Sequence, residues 1–591
     1  MKKLFAYFKN YKWQSLLGPL FKLLEATFEL LVPIVVGLIV DKGLGAQVDG
    51  GYPNADGWYI AKMCGLLALF GLLGLIFSVI AQYFAAYAAT GVSADIRRDL
   101  FKKLHSLSYK DYDTLGASTM LTRMTSDVDS LQSGINLALR LFLRSPFIVF
   151  GAMVTAAFVD VNSVWIFALA IVALAIVVFA VMLVCMPLYK KAQGKLDNVL
   201  LSTRENLTGA RVLRAFCRED EEKELFDERN AQVNKSRKFV GALAALTNPI
   251  TFILVNGAIV LLMWTGALRV ESGLLTQGQV LALYNLMGQI LIELIKLANL
   301  IVTVAKAAAC GGRISAVLSM QPALELTNEQ ENEEQTHKEN APYAVEFDNV
   351  SMQYSEGADA ALEGISFGVK PRQTVGVIGG TGSGKSTLVN LIAHFYDVAE
   401  GQVRVNGVSV TERGIQEYLR ERVAIVPQKA QLFKGTIRSN LLWGREGATD
   451  EELWEALRLA QAEEFVQEKG GLDAVVEQGG KNFSGGQKQR LTIARALVKR
   501  ADILILDDSS SALDYATDAA LRHAIRTLDS ATFIVAQRAS SVRDADMIIV
   551  LDDGKAVGIG THEELMQSCE VYKEIYHSQY GDRTCGKGGV A

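Results

Sequence analysis

Cysteine is scarce in this sequence, and neither sign of charge dominates it. The six cysteines, Cys64, Cys185, Cys217, Cys310, Cys569 and Cys585, are scattered without a CxxC pair or a metal-ligand spacing. That spacing excludes a disulfide frame and a thiolate metal site, and leaves isolated thiols. Lysine and arginine number 59 against 64 aspartates and glutamates, a formal net charge of -5 over 591 residues. No global basic field exists to recruit nucleic acid, so none is expected as a partner. What the chain has in quantity is apolar surface: half of its residues are hydrophobic, a composition that points to a membrane protein.

The first twenty residues, MKKLFAYFKNYKWQSLLGPL, place basic residues before an apolar run, but Glu25 and Glu29 follow and no small-residue cleavage site appears. The segment is therefore expected to be retained, with the first helix as its own insertion signal. Apolar runs of the ~20 residues needed to cross a bilayer fall near 15–40, 58–89, 135–159, 163–188, 241–268 and 277–306. Six spans are predicted. Arg97, Arg98, Lys102, Lys103, Lys110 and Arg123 lie between the second and third spans, and Lys190, Lys191, Lys195, Arg204, Arg211, Arg214, Arg218 and Lys223 between the fourth and fifth. These loops are placed in the cytoplasm, and with them both termini. Both loops are long and helix-patterned, so the membrane helices are expected to continue beyond the bilayer. Lys22, Glu25, Glu29, Glu293 and Lys296 interrupt the spans. They read either as a polar cavity that touches substrate or, more plainly, as local ion pairs.

Hydropathy collapses in the acidic segment QPALELTNEQENEEQTHKENAPYA, which sets a linker at 321–343 between a membrane domain at 1–320 and a second domain at 344–580. The second domain alternates short β-rich runs with helical stretches, the pattern of an α/β fold with a mostly parallel sheet. The last residues, 581–591, have turn-prone composition and no periodicity, and are expected to form a disordered tail.

Three motifs carry chemistry. The first is GGTGSGKST: Gly379, Gly380, Thr381, Gly382, Ser383, Gly384, Lys385, Ser386 and Thr387, after the strand TVGVI and before a helix. Its glycines let backbone N–H groups face phosphate oxygens, Lys385 is placed to reach the β and γ phosphates, and Ser386 to ligate Mg²⁺. The second, LILDDSSSALD, ends a buried strand in Asp507, suited to hold the Mg²⁺ through water. The third, NFSGGQKQRLTIARAL, opens a helix with Ser484, Gly485, Gly486 and Gln487 and makes a second anion site. One phosphate chain cannot use both sites within one small domain, so two copies facing each other are implied.

With these motifs the chain resembles an ATP-binding cassette (ABC) half-transporter of the type IV exporter fold. The expected class is a membrane all-α six-helix domain followed by an α/β P-loop ABC ATPase domain. The resemblance implies ATP and Mg²⁺ as cofactors, with ATP held between the phosphate loop of one subunit and the SGGQ signature of the other. It also implies that Tyr354 stacks on adenine and that Gln428 meets Mg²⁺ and the attacking water. Ser511, Ala512, Leu513 and Asp514 would cross the dimer interface, and helices around Tyr109–Ser118 and Leu207–Phe216 would couple the domains. Two positions depart from the family's pattern. Asp508 stands at the catalytic glutamate, drawing the carboxylate back by about 1 Å, enough for a loss on the order of 10²-fold. Gln537 stands at the switch histidine and can donate a hydrogen bond but carries no charge.

Together the departures resemble the degenerate-site subunit of bacterial heterodimeric multidrug-type exporters. The implied assembly pairs this chain with a homologous half-transporter in a bacterial cell membrane, among lipids, moving small amphipathic substrates (multidrug, lipid or peptide) outward by alternating access. A homodimer with two slow sites, a regulatory ATP-binding membrane subunit and an importer stay open. The first span follows directly on the N-terminus with no peptidase domain, which argues against leader-peptide processing.

Overall fold

The computed structural model describes residues 2–44, 56–321, 341–355, 357–412, 415–509 and 511–580. Nearly all of the expected linker, the tail at 581–591 and Cys585 lie outside the described residues. The chain forms two compact units, Met1–His105 with Ser118–Met320, and Ser106–Ala117 with Gln321–Ala591.

The first unit is helical. Among the described residues, five helices are long and apolar enough to cross a membrane: Ala6–Gly43, Gly57–His105, Ala117–Val159, Val161–Thr208 and Glu219–Glu271. The 49-residue Gly57–His105 helix is about 74 Å long at ~1.5 Å per residue, far more than the ~30 Å of bilayer hydrocarbon. A sixth long helix, Gln277–Ser319, covers the sixth expected span. It is not among those five; Glu293, Lys296 and Lys306 interrupt its apolar run, and it packs against the first membrane helix and those at 128–141, 144–159 and 247–271.

Its start is fixed twice over. Thr276 forms a capping box with Gln279, and Asp41, at the end of the first span, accepts hydrogen bonds from Thr276 Oγ1 at 2.5 Å and Gly278 N at 2.7 Å. Beside this clasp, the first and last helices touch backbone to backbone. A Cβ on Gly37 would lie 2.6 Å from Gly278 O, and one on Gly278 only 2.0 Å from Gly37 O, so only glycine allows the approach.

The interrupting charges are paired inside the unit. Buried Arg144 donates to Glu293 Oε1 at 2.7 Å and to Glu29 Oε2 at 2.6 Å. Glu293 also accepts from Ser145 Oγ at 2.8 Å and Lys296 Nζ at 2.7 Å. Lys22 pairs with Glu25 at 2.5 Å. The pairs within one helix, Glu293 with Lys296 and Lys22 with Glu25, follow from spacing. The bridge through Arg144 joins three helices distant in sequence.

The second unit is built on a six-stranded sheet in the order Lys555–Gly560, Met547–Asp552, Thr374–Gly379, Ala531–Val535, Ile503–Asp507, Val423–Val426. All neighbours are parallel except the first pair. The central strands, Thr374–Gly379, Ile503–Asp507 and Ala531–Val535, are buried at every position, as strands covered on both faces must be, and read as continuous apolar runs. An antiparallel four-stranded sheet, Leu362–Val369, Val345–Met352, Glu400–Val405 and Val408–Ser409, stands beside it.

Residues 106–117 come early in the chain but pack in this unit. Their helix, Tyr109–Leu115, starts with a capping box between Ser108 and Asp111. Tyr109 stacks on Phe395 with ring centres 4.3 Å apart, and Tyr396 Oη donates to Asp113 Oδ2 at 2.7 Å.

Candidate functional site

The carboxyl ends of parallel strands are where open α/β sheets bind ligands, and three adjacent strands of this sheet deliver the candidate residues there. Thr374–Gly379 runs into the phosphate loop, Ile503–Asp507 ends in the paired aspartates, and Ala531–Val535 leads to Gln537. The loop turns through Gly382 and Gly384 at φ of +84° and +95°, conformations that glycine adopts without strain. At Gly384 a Cβ would also stand 2.6 Å from Ala361 O. The helix that follows, Lys385–Ile392, points its amino end at the loop.

Around this end lies a cavity of about 350 Å³, lined by Tyr354, Thr381 to Thr387, Gln428, Asp507, Asp508 and Gln537. Lys385 Nζ is folded onto its own loop, donating to Gly379 O at 3.0 Å and Gly380 O at 2.5 Å. Burial lowers the Lys385 pKa, against the pull of Asp508 and Asp507. Ser386 Oγ donates to Asp507 Oδ1 at 3.0 Å. Burial raises the Asp507 pKa against the lowering pull of the Ser386 bond, and the neighbouring Asp508 adds a smaller rise. A cation between these oxygens would relieve both strains.

The set fits Mg²⁺. Among the described residues no cluster of three or more His, Cys, Asp or Glu could hold a metal. Mg²⁺, unlike a caged ion, is bound through one or two carboxylates with the rest left to water and phosphate. Ser386, Asp507 and the Gln428 side-chain oxygen are the groups that would hold it.

Asp508 adopts φ of +45°, a left-handed conformation that aspartate tolerates better than most residues. Its backbone N–H is tied to Val535 O at 3.0 Å. One oxygen, Oδ2, accepts from both Gln428 Nε2 at 3.2 Å and Gln537 Nε2 at 3.1 Å. Three sequence-predicted residues thus meet at a single atom. Tyr354, partly exposed, bonds through its hydroxyl to Thr387 Oγ1 at 2.8 Å and lies edge-on to Tyr396, with ring centres 5.1 Å apart.

The signature residues do not line this cavity. Ser484 caps the helix Gly485–Val498 in a reciprocal pair with Gln487. A Cβ on Gly486 would stand 3.0 Å from Ala512 O, so the signature rests on the Ser511–Asp514 loop of its own chain. In that loop Ser511 Oγ donates to Asp508 O at 2.9 Å, and Asp514 caps the next helix by accepting from Thr517 N at 2.9 Å. Of the two expected coupling segments, Tyr109–Leu115 packs within the second unit. The other contains the helix Ala210–Ala215 of the first unit and exposes Leu207, Val212 and Phe216.

A larger cavity, about 540 Å³, sits at the amino ends of the strands beside Arg500, Asp502 and Ser530. It contains no phosphate loop and none of the candidate residues. Sequence reasoning missed Tyr396, which packs edge-on against Tyr354, and Gln579, which holds the Gln537 carbonyl. Nothing in their local sequence marks them, since each is defined by a partner far along the chain.

Residues 15–294 match the ABC transporter transmembrane region, and residues 362–511 match the ABC transporter domain. An uncharacterized ABC transporter ATP-binding protein of Bacillus subtilis, YfiB, is 34% identical over 98% of this chain and 99% of its own. An ATP-dependent lipid A-core flippase of Haemophilus ducreyi is 30% identical over 98% of both chains. In fold, the structure of a bacterial Atm1-family ABC exporter with ATP bound matches with a TM-score of 0.79 over 98% of this chain and 99% of that one, at 23% identity. With helical membrane unit, ATPase unit and full-length relatives in agreement, the chain belongs to the ABC transporter family, as a half-transporter of the exporter fold.

Proposed function

We propose that this chain is one subunit of an ATP-driven exporter. Its own nucleotide site binds ATP but turns it over slowly, and its intact signature completes the fast site of a homologous partner. The observation that carries this reading is the double capping of Asp508 Oδ2 by the Gln428 and Gln537 amides. A general base needs an oxygen free to take a proton from water, within hydrogen-bond reach of it. Here the carboxylate is one methylene shorter than glutamate, and one of its oxygens is already occupied by two donors. The switch position supplies a neutral amide where an imidazole could carry charge.

In this reading the backbone N–H groups of Gly380 to Thr387 and the Lys385 ammonium hold the phosphates, and Tyr354 packs on the adenine. Mg²⁺, when bound, would neutralise charge on the phosphate oxygens. The chain's own part is to orient those oxygens and to keep the site dry. Ser484 to Gln487 present a helix amino end to the nucleotide of the partner, and Ser511 to Asp514 lie at the dimer interface. Closure of the two ATPase domains around ATP drives alternating access in the membrane. Both termini face the cytoplasm. The substrates are amphipathic, a class supported by the flippase relative, whose name assigns it a lipid.

The test is ATP hydrolysis by purified protein in lipid, alone and coexpressed with a candidate partner, with and without Asp508→Ala. Activity that needs the partner and survives the substitution is expected. Hydrolysis by this chain alone, abolished by Asp508→Ala, would instead make the aspartate a working base and the transporter a homodimer.

A further inference from the structure

The loop that carries Gln537 is held from behind by the last helix among the described residues. Gln579, near the end of Glu570–Tyr580, places its side-chain amide against that loop with both ends used. Its Nε2 donates to Gln537 O at 2.8 Å, and its Oε1 accepts from Ala539 N at 2.7 Å. Ala539 begins the short helix Ala539–Val542, whose preceding residue, Arg538, gives no side-chain cap. A helix start leaves its first N–H groups without partners, so the Gln579 amide does the work of the missing cap. The helix that carries it is firmly seated: Tyr572 is fully buried in the larger apolar cluster, which also contains Ala539 and Val542, and Ile575 and Tyr576 pack on it. Ile575 and Gln579 lie four residues apart, one helical turn, so anchor and clasp share a face.

The same loop aims the Gln537 side chain at Asp508 Oδ2. A one-residue grip on the Gln537 carbonyl and the Ala539 amide sets both the position and the tilt of the residue between the Cα atoms. We propose that Gln579 is a positioning residue of the nucleotide site, holding the switch loop so that the Gln537 amide stays in reach of Asp508. This rests on the reading of Gln537 and Asp508 as parts of that site. It goes beyond it by making the far end of the chain a determinant of the site's geometry, so that displacement of the last helical turn would loosen the loop.

The test uses the full-length transporter in lipid, with its partner where it has one, carrying Gln579→Ala, Gln579→Met, Gln537→Ala and the double variant Gln537→Ala/Gln579→Ala. Gln579→Met keeps side-chain length and bulk but removes donor and acceptor. Two quantities are read: amide exchange of the peptide spanning 537–539, and the 8-azido-ATP concentration that half-saturates photolabelling of this chain. Both Gln579 variants are expected to speed exchange at 537–539 without lowering the thermal midpoint. They should shift half-saturation about fivefold, the worth of roughly one hydrogen bond, in the same direction as Gln537→Ala, and the double variant should go no further. Unchanged exchange in Gln579→Met, or a double variant whose shift is the product of the two single shifts, would overturn the clasp. Faster exchange together with a silent Gln537→Ala would instead overturn the nucleotide-site reading beneath it, and the proposal with it.

Discussion

At the scale of single residues, Asp507 shows how a site can be prepared for a cation at some expense to the empty fold. Burial, and then the neighbouring Asp508, raise its pKa above the usual carboxylate value. A carboxyl group whose folded pKa is raised contributes stability that is fully present below its unfolded pKa and lost as pH rises through the folded one. At neutral pH, then, the charged Asp507 opposes folding of the nucleotide-free protein. Asp507→Asn is expected to raise the thermal midpoint at pH 7.5 while removing Mg²⁺-dependent nucleotide binding. The gain should shrink as the pH is lowered toward the carboxylate range, where aspartate itself becomes neutral. Thermal melts of both proteins across that range, without nucleotide, check the sign. The proposed role of Asp507 is legible in sequence because its neighbours in space, Ser386 and Asp508, belong to contiguous motifs. The convergence of Gln428 and Gln537 on one oxygen of Asp508 is not, because it depends on three strand ends lying side by side.

At the scale of elements, the strand, loop and helix of the phosphate site can be read directly: the glycines that permit its turns and the apolar run that buries its strand are consecutive. The membrane helices are equally readable as lengths of apolar sequence, but the bonds between them are not. Arg144 stands 149 residues from Glu293 and 115 from Glu29, and no spacing rule reaches so far. Arg144→Leu should leave the buried Glu293 without its cross-helix partner, a change that costs about 3–5 kcal/mol when one member of a buried pair is removed. The expected outcome is a sharp drop in monodisperse protein extracted from membranes. Arg144→Leu with Glu293→Leu should recover part of that yield, since two apolar residues can replace a buried pair with little loss. A yield for Arg144→Leu equal to wild type would mean that Lys296 and Ser145 alone satisfy the carboxylate.

At the scale of the whole molecule, the proposed pairing of an intact signature with an altered base in one chain would make an asymmetric demand on a dimer. Ser484→Arg should abolish hydrolysis by the coexpressed pair, because it would block the amino end of the helix proposed to serve the partner's nucleotide. Lys385→Ala, in what is proposed as this chain's own slow site, should reduce the rate far less. Steady-state hydrolysis of the two variants side by side decides the matter. Equal losses would point to two equivalent sites.

The clasp at Asp41 and the glycine contact at Gly37 and Gly278 also bear on the timing of assembly. The two ends of that clasp are 237 residues apart in the chain, and a ribosome adding about 5–20 residues per second needs roughly 10 to 50 s to span the gap. The first membrane helix must therefore wait in the bilayer, its glycine face and its aspartate uncovered, until the last one arrives. Lys22 and Glu25, three residues apart on that helix, can neutralise each other in the interval. The bundle is sealed by the final helix to enter it, so a chain truncated before Gly278 would be inserted but never closed.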